Sequence, residues 1–334
     1  MQRTTNPVAR FIIYLILILF SIYSILPFFW TTLQSFKTVR QAMSRTPLFI
    51  FKPTWANYER LWLEEVPENL STLLLALFGI GLILALIVIV TRRLSVRQSA
   101  VWLLVFAVVA LILWMIPRIV HTAEFYQYFL NSLIVTIGTV VISISIGCLA
   151  GYALARYSGI EGLIILIVAL GFRALPRMSF ALPYFWIGQA TKLHDTYILL
   201  ILSLVAVNQP FTIWMLRSFF MEIPKDIEES AMIDGCNRLT AFLRVIIPIA
   251  WPGIISTGLF SLLLAYNEFL IVRVLTQTKW TLPVAIAQFT GGEDPGYITL
   301  AAAAAISASL PIVIVILIFQ KHLVKGLAAG AVKG

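Results

Sequence analysis

Ile227-Glu-Glu-Ser-Ala-Met-Ile-Asp-Gly-Cys236, running on through Asn237-Arg-Leu-Thr-Ala-Phe-Leu-Arg-Val-Ile-Ile-Pro248, is a polar stretch between two apolar runs, each long enough to cross a bilayer. A compact folded element therefore sits between two membrane helices. Local signals predict a pair of short helices. Asp226 caps the first, with Glu229 three residues on making a capping-box-like pair, and Gly235 takes the left-handed conformation that ends it. Asn237 caps the second, and Pro248 closes it.

Composition agrees with a membrane setting. The 334 residues are 60% hydrophobic and 12% charged, with a mean hydropathy of +0.95, too apolar to present a polar surface to water. A net charge of +9 would suggest nucleic acid in a soluble domain, but in a membrane protein basic residues collect in cytoplasmic loops and near lipid headgroups. No nucleic-acid partner is expected. Cys148 lies in an apolar run and Cys236 in the loop, without metal spacing or a shared compartment, so no disulfide or metal site is indicated. No Gly-x-x-x-x-Gly-Lys-Ser/Thr is present, so the chain is not expected to bind ATP itself. His121, His194 and His322 are scattered, which argues against a catalytic constellation and against an enzyme. A secondary transporter would couple to ions through intramembrane carboxylates and an inverted repeat. Glu268 is the sole acidic residue well inside an apolar run, and no repeat is visible.

The opening stretch resembles the EAA loop of membrane subunits of binding-protein-dependent ABC importers, whose pattern is Glu-Ala-Ala, three residues, then Gly. Here it reads Glu229-Ser230-Ala231, three residues, Gly235, followed by Phe242 and Pro248, with Ser230 a small-for-small departure. The resemblance implies that Glu229, Ser230, Ala231, Asp234, Gly235, Phe242 and Pro248 couple the chain to an ATPase subunit whose closure they transmit. Other stretches look like sugar-type members. These are Pro53, Asn57-Tyr58 and Leu61 after the first helix, Asn131-Ser132, Tyr266-Asn267-Glu268-Phe269, and a tail with Gly326-Leu-x-Ala-Gly330 and Val332-Lys-Gly334 similar to the maltose-type subunit. The likeness covers about Phe11 to Lys52 and Phe129 to Gly334. It implies a carbohydrate permease working with an ATPase dimer, a second homologous permease subunit and an external substrate-binding protein. ATP and Mg would sit on partner subunits, with no cofactor on this chain. The EAA pattern is shared by peptide, polyamine and phosphate systems, so an importer for another small solute is the alternative.

These readings give an all-α polytopic protein of the prokaryotic inner membrane, with a permease core of six helices plus an inserted hairpin. Residues 1–69 hold the first span and an external segment, and 70–118 the hairpin, lipid-facing and outside the likeness. Residues 119–320 form the core with the loop at 222–248, and 321–334 a cytoplasmic tail. Leu70–Val90 and Ser99–Ile116 flank Thr91–Gln98, whose three arginines place that turn in the cytoplasm. About eight spans result, with both termini cytoplasmic. One span is expected over Leu163 to about Ala181, its outer end an interrupted helix marked by Arg173, Pro176, Arg177 and Pro183. Asn208, Asn267 and Glu268 are candidates for the translocation path, because polar groups at membrane depth are costly unless they face a cavity or a partner; structural interhelical hydrogen bonds are the other reading. Arg173 and Arg177 line an outer gate or reach headgroups by snorkelling.

Overall fold

The computed structural model describes residues 7–65, 67, 70–93, 98–157, 159–290 and 295–331. These residues are all-α, with one isolated antiparallel bridge between Leu63 and Thr122. In order come α1 (Pro7–Ser35), the short α2 (Val39–Ala42) and α3 (Ala56–Trp62), α4 (Leu70–Arg93), α5 (Gln98–Ile119) and α6 (Glu124–Arg156). Next are α7 (Glu161–Phe172), α8 (Met178–Thr191), α9 (Tyr197–Met221), α10 (Lys225–Ile233) and α11 (Arg238–Ala241). A π turn (Phe242–Ile246) leads into α12 (Ile247–Tyr266), followed by α13 (Leu270–Leu275), α14 (Leu282–Thr290) and α15 (Gly296–Ala331). Val8–Ser35, Glu124–Arg156, Tyr197–Met221, Arg238–Tyr266 and Gly296–Lys321 are long and apolar enough to cross a membrane. The chain is a polytopic membrane protein. It divides into two compact units, Met1–Gln127 with Glu293–Ala304 and Tyr128–Gly292 with Ala305–Gly334.

In the first unit the Asn57-Tyr58 pair ties the chain back to the end of α1. The Asn57 amide donates to the Ser35 and Lys37 carbonyls, both at 2.8 Å, and its oxygen accepts from the Thr299 hydroxyl at 3.1 Å. The Tyr58 and Ser35 hydroxyls meet at 2.8 Å. Lys37 is fully buried, its ammonium 4.4 Å from the Trp30 ring centre and 5.3 Å from that of Phe51. Stacking of this kind partly offsets the cost of removing the cation from water. The inserted segment is a helical hairpin, α4 packed on α5, closed at its base by the Leu63–Thr122 bridge and by hydrogen bonds from Glu64 N to His121 O and from Ala123 N to Trp62 O. The Tyr126 hydroxyl donates to the Leu113 carbonyl and pins α5 to α6. Leu75, Phe78 and Leu86 point outward, as expected of helices that face lipid.

In the second unit small residues let α6 and α9 approach closely. A Cβ at Gly151 would lie 3.0 Å from the Arg217 backbone nitrogen, tighter than an ordinary contact, so a larger side chain would press the two helices apart. A polar cluster spans the same interface: Ser143 Oγ donates to Gln209 Oε1 at 3.0 Å, and Gln209 Nε2 donates to the Ser143 carbonyl at 3.2 Å. Asn131 and Ser132 also bridge elements. Asn131 donates to the Trp280 carbonyl at 2.9 Å and accepts from the Tyr197 hydroxyl at 2.7 Å, while Ser132 Oγ accepts from Leu282 N at 2.7 Å.

The single span over Leu163–Ala181 is not what forms. The 12 residues of α7 rise about 18 Å, short of a hydrocarbon core of about 30 Å. Turns then occupy Arg173–Arg177, where Pro176 lacks a donor and disfavours helix in the residue before it, and α8 begins at Met178. The interruption falls where the sequence places it, but Pro183 is accommodated within α8.

Candidate functional site

The loop between α9 and α12 is built on Gly235, whose φ of +92° is the left-handed value that glycine adopts without a Cβ penalty. Around it Cys236 N donates to the Ala231 carbonyl at 3.0 Å and Gly235 N to the Met232 carbonyl at 3.1 Å, the two hydrogen bonds of a Schellman motif. Asn237 caps α11, its Oδ1 accepting from Thr240 N at 2.8 Å. Two expectations fail. The residue before α10 is Pro224, and Asp226 lies inside the first turn, where its charge favours the positive helix end without capping it. Pro248 does not close the second helix. The wider π turn at Phe242–Ile246 carries the chain into α12, with Pro248 in its first turn, where a missing N–H is tolerated.

The named residues of the loop separate into an outer and an inner face. Glu229, Ser230, Asp234, Gly235 and Pro248 are exposed, while Ala231 and Phe242 are buried. The Ser230 hydroxyl donates to the Asp226 carbonyl at 2.7 Å. Phe242 seats 4.6 Å from the Tyr152 ring and 6.2 Å from the Phe220 ring, in a core with Cys148, Leu216, Ile246 and Ala250. Sequence reasoning missed the residue that fixes the loop to this core. Glu228 is buried, accepts from the Tyr152 hydroxyl, and pairs with Arg156 Nε at 2.8 Å; Arg156 Nη1 in turn donates to the Phe220 carbonyl at 3.1 Å. Burial pushes the Glu228 carboxyl up, but the Tyr152 hydroxyl and the Arg156 guanidinium outweigh it and hold it below the usual carboxylate range. Also missed were apolar residues on the outer face, Ile233 at 86% exposure and Leu239 at 61%.

A second constellation lies at the α7–α8 break. Arg177 Nε is 3.7 Å from Glu268 Oε2, and Glu268 Oε1 accepts from Ile271 N at 3.3 Å, so Glu268 also caps α13. The Arg173 guanidinium lies 4.6 Å from the Phe211 ring centre. Asn267 is exposed, its amide donating to the Leu263 carbonyl at 2.9 Å. Asn208 sits apart, 2% exposed, with its Oδ1 lacking a hydrogen-bond partner among the described residues. The structure thus brings Arg173, Arg177 and Glu268 to one break and leaves Asn208 in the packed interior. A further anchor, missed in the sequence, is Asp195 before α9. Its carboxylate accepts from Gln277 N at 2.9 Å, Thr278 N at 3.0 Å, Thr278 Oγ1 at 2.7 Å and the Thr276 hydroxyl. Burial raises its pKa, but these donors together hold it well below the usual carboxylate range. Among the described residues no group of His, Cys, Asp or Glu could hold a metal ion.

Membrane-length helices joined through a capped, outward-facing polar loop define a polytopic membrane subunit. Residues 143–329 match the sequence profile of the binding-protein-dependent transport system inner membrane component family, and the chain belongs to that family. It is 39% identical over 216 residues, 63% of this chain and 78% of the relative, to the trehalose transport system permease protein SugB of Mycobacterium tuberculosis (strain CDC 1551 / Oshkosh). It is 36% identical over 217 residues, 64% of this chain and 77% of the relative, to the trehalose/maltose transport system permease protein MalG of Thermococcus litoralis (strain ATCC 51850 / DSM 5473 / JCM 8560 / NS-C). A similar fold, with a TM-score of 0.66 at 16% identity over 96% of this chain and 98% of the other, occurs in the crystal structure of a bacterial ABC transporter involved in the import of the acidic polysaccharide alginate.

Proposed function

We propose that this chain is the transmembrane permease subunit of an ATP-driven importer that moves a carbohydrate into the cell by alternating access. The observation that carries the coupling is the loop itself: an apolar outer face beside Glu229 and Gly235, held rigidly to α6 through Glu228. The ATPase dimer would dock there, supplying ATP and Mg. A second permease subunit would complete the path, and an external binding protein would deliver the substrate. ATP stabilises the closed ATPase dimer, the docked loops move with it, and the helices open outward. The carbohydrate assignment is supported by the trehalose and trehalose/maltose systems to which the relatives belong. The test is purification of the intact complex, with identification of the co-purifying ATPase, binding protein and bound ligand, and uptake measured with the proton gradient collapsed. Uptake that stops with the gradient and ignores ATP would overturn this reading.

Topology follows from the same proposal. The α4–α5 hairpin preserves the sidedness of everything after it, and with α7 and α8 together making one broken crossing the chain would have eight spans, with both termini and the docking loop in the cytoplasm. Ser95, in the turn of the hairpin, lies outside the described residues. A cysteine placed there, in a background lacking Cys148 and Cys236, is expected to resist an impermeant thiol reagent added to intact cells. It should react once the cytoplasmic face is opened, and labelling from outside would reverse the assignment.

The C-terminal segment carries a related expectation. α15 continues helical to Ala331, well past the apolar part that ends near Lys321, while Val332–Gly334 lie outside the described residues. Its likeness to the maltose-type tail supports a role along the ATPase dimer. Truncation after Lys321 is expected to lower ATP hydrolysis or assembly several-fold while the protein still inserts. A truncated complex with full activity would make the tail dispensable.

A further inference from the structure

The α7–α8 break carries more positive charge than the fold balances. Arg177 has Glu268, but among the described residues no carboxylate lies within 4.0 Å of Arg173, and Arg177 beside it is like-charged. Depth makes this costly. The C-terminal ends of α6 and α9 are joined by hydrogen bonds from Arg217 Nε to the Leu154 carbonyl and from Arg156 Nη1 to the Phe220 carbonyl, so α7 starts on the side where α9 ends. Arg173 follows the 12 residues of α7, about 18 Å from that side, and Phe211 is ten residues before the end of α9, about 15 Å from it. Both are near the middle of a hydrocarbon layer of about 30 Å.

A guanidinium at that depth cannot face lipid; it faces water or a polar partner. The surface of α9 on which Arg173 lies is therefore not a lipid surface. That surface is aromatic. Phe211 lies 6.0 Å from Trp214 and 6.2 Å from Phe260, and Trp214 is 45% exposed. The guanidinium covers one face of the half-buried Phe211 ring, which positions it, and the exposed Trp214 ring beside it is left for a ligand; a partner-subunit carboxylate alone would take the cation and leave that ring unused. A sugar ring with an acidic substituent needs both, since its C–H face stacks on an aromatic ring and its carboxylate takes the guanidinium. We propose that Arg173, with Phe211 and Trp214, forms a subsite on the translocation path selective for saccharides bearing an anionic group, a uronate or its equivalent.

This rests on the carbohydrate reading above, and the test separates the two. The complete complex in proteoliposomes, loaded with ATP, is given a matched pair of labelled probes, cellobiouronic acid and cellobiose. Uptake of the acid is expected to exceed that of the neutral sugar at least tenfold. Arg173→Gln should reduce that ratio at least tenfold in a complex that still assembles, Arg173→Lys should keep part of it, and Trp214→Leu should lower uptake of the acid. Equal uptake of both probes, or uptake of cellobiose alone, would overturn the subsite and leave the carbohydrate reading standing. Transport of neither probe by a complex that takes up trehalose with ATP would overturn the subsite alone, and ATP-driven uptake of a non-saccharide solute in place of any sugar would remove both. Loss of the second permease from the Arg173→Gln complex would assign the guanidinium to an inter-subunit ion pair instead.

Discussion

Replacing Gly235 with valine is expected to cut uptake and substrate-stimulated ATP hydrolysis at least tenfold while the complex still reaches the membrane. The cause is local. At φ +92° a residue with a Cβ is strained by about 1–2 kcal/mol, and branching at Cβ adds to this. A Cβ at Gly235 would meet no atom within 4 Å, so no clash contributes and the whole penalty is conformational. The cheapest relief is to abandon the left-handed turn, which breaks the Schellman pair and swings α10 away from α11. Gly235→Asn is the control, since asparagine tolerates that conformation, and it should retain most of the coupling. Measuring both variants in the reconstituted complex decides the matter, and normal stimulated activity in the valine variant would remove the loop from the coupling path.

Loss of the Glu228 carboxylate should be felt as instability as well as uncoupling. Removing one partner of a buried ion pair costs about 3–5 kcal/mol, and side-chain exposures of 16% for Arg156 and 11% for Glu228 put this pair toward the lower end. Arg156 Nη2 already lacks a hydrogen-bond partner among the described residues, so Glu228→Ala leaves the guanidinium with the Phe220 carbonyl and the Tyr152 ring face to hold it. A lower melting temperature of the purified complex is expected, with partial recovery in the Arg156→Ala, Glu228→Ala double variant; strictly additive effects would show the pair to be energetically idle. The pH dependence has a definite sign. The folded-state pKa is depressed below the ordinary 4.5, so the stabilisation is fully present above that value. It is lost only as the pH falls through the lower, folded value, and at neutral pH the anchor is fully engaged.

What could be read from the sequence was local chemistry. Gly235 and Asn237 each do what their own backbone geometry permits, and the break before α8 follows from Pro176, so these positions were legible without the rest of the molecule. Pro248 was misread because proline ends a helix only from its interior, and here a π turn precedes it and α12 begins at Ile247, so it falls in a first turn where the missing N–H is tolerated. Glu228 and Glu229 are adjacent and chemically identical. Only the arrival of Tyr152 and Arg156 from 72 or more positions upstream makes one an anchor and leaves the other on the surface. Asn57-Tyr58 and Asn131-Ser132 stood out by resemblance, and the structure supplies the physical reason: each pair hydrogen-bonds distant backbone and fixes where elements meet. Asp195 gave no sign, because its donors, Thr276, Gln277 and Thr278, all lie more than 80 positions further on.

The π turn has a mechanical consequence. Because Phe242–Ile246 joins α11 to α12 without a break, Arg238–Tyr266 is one helical rod of 29 residues, about 43 Å long. One end of that rod is the loop proposed to dock the ATPase, and the other leads directly to Glu268, which holds Arg177. A push on α11 therefore reaches the ion pair through the stiffness of a single strut, without needing a relay of side-chain rearrangements. The widened turn near its base is the natural place for such a strut to flex.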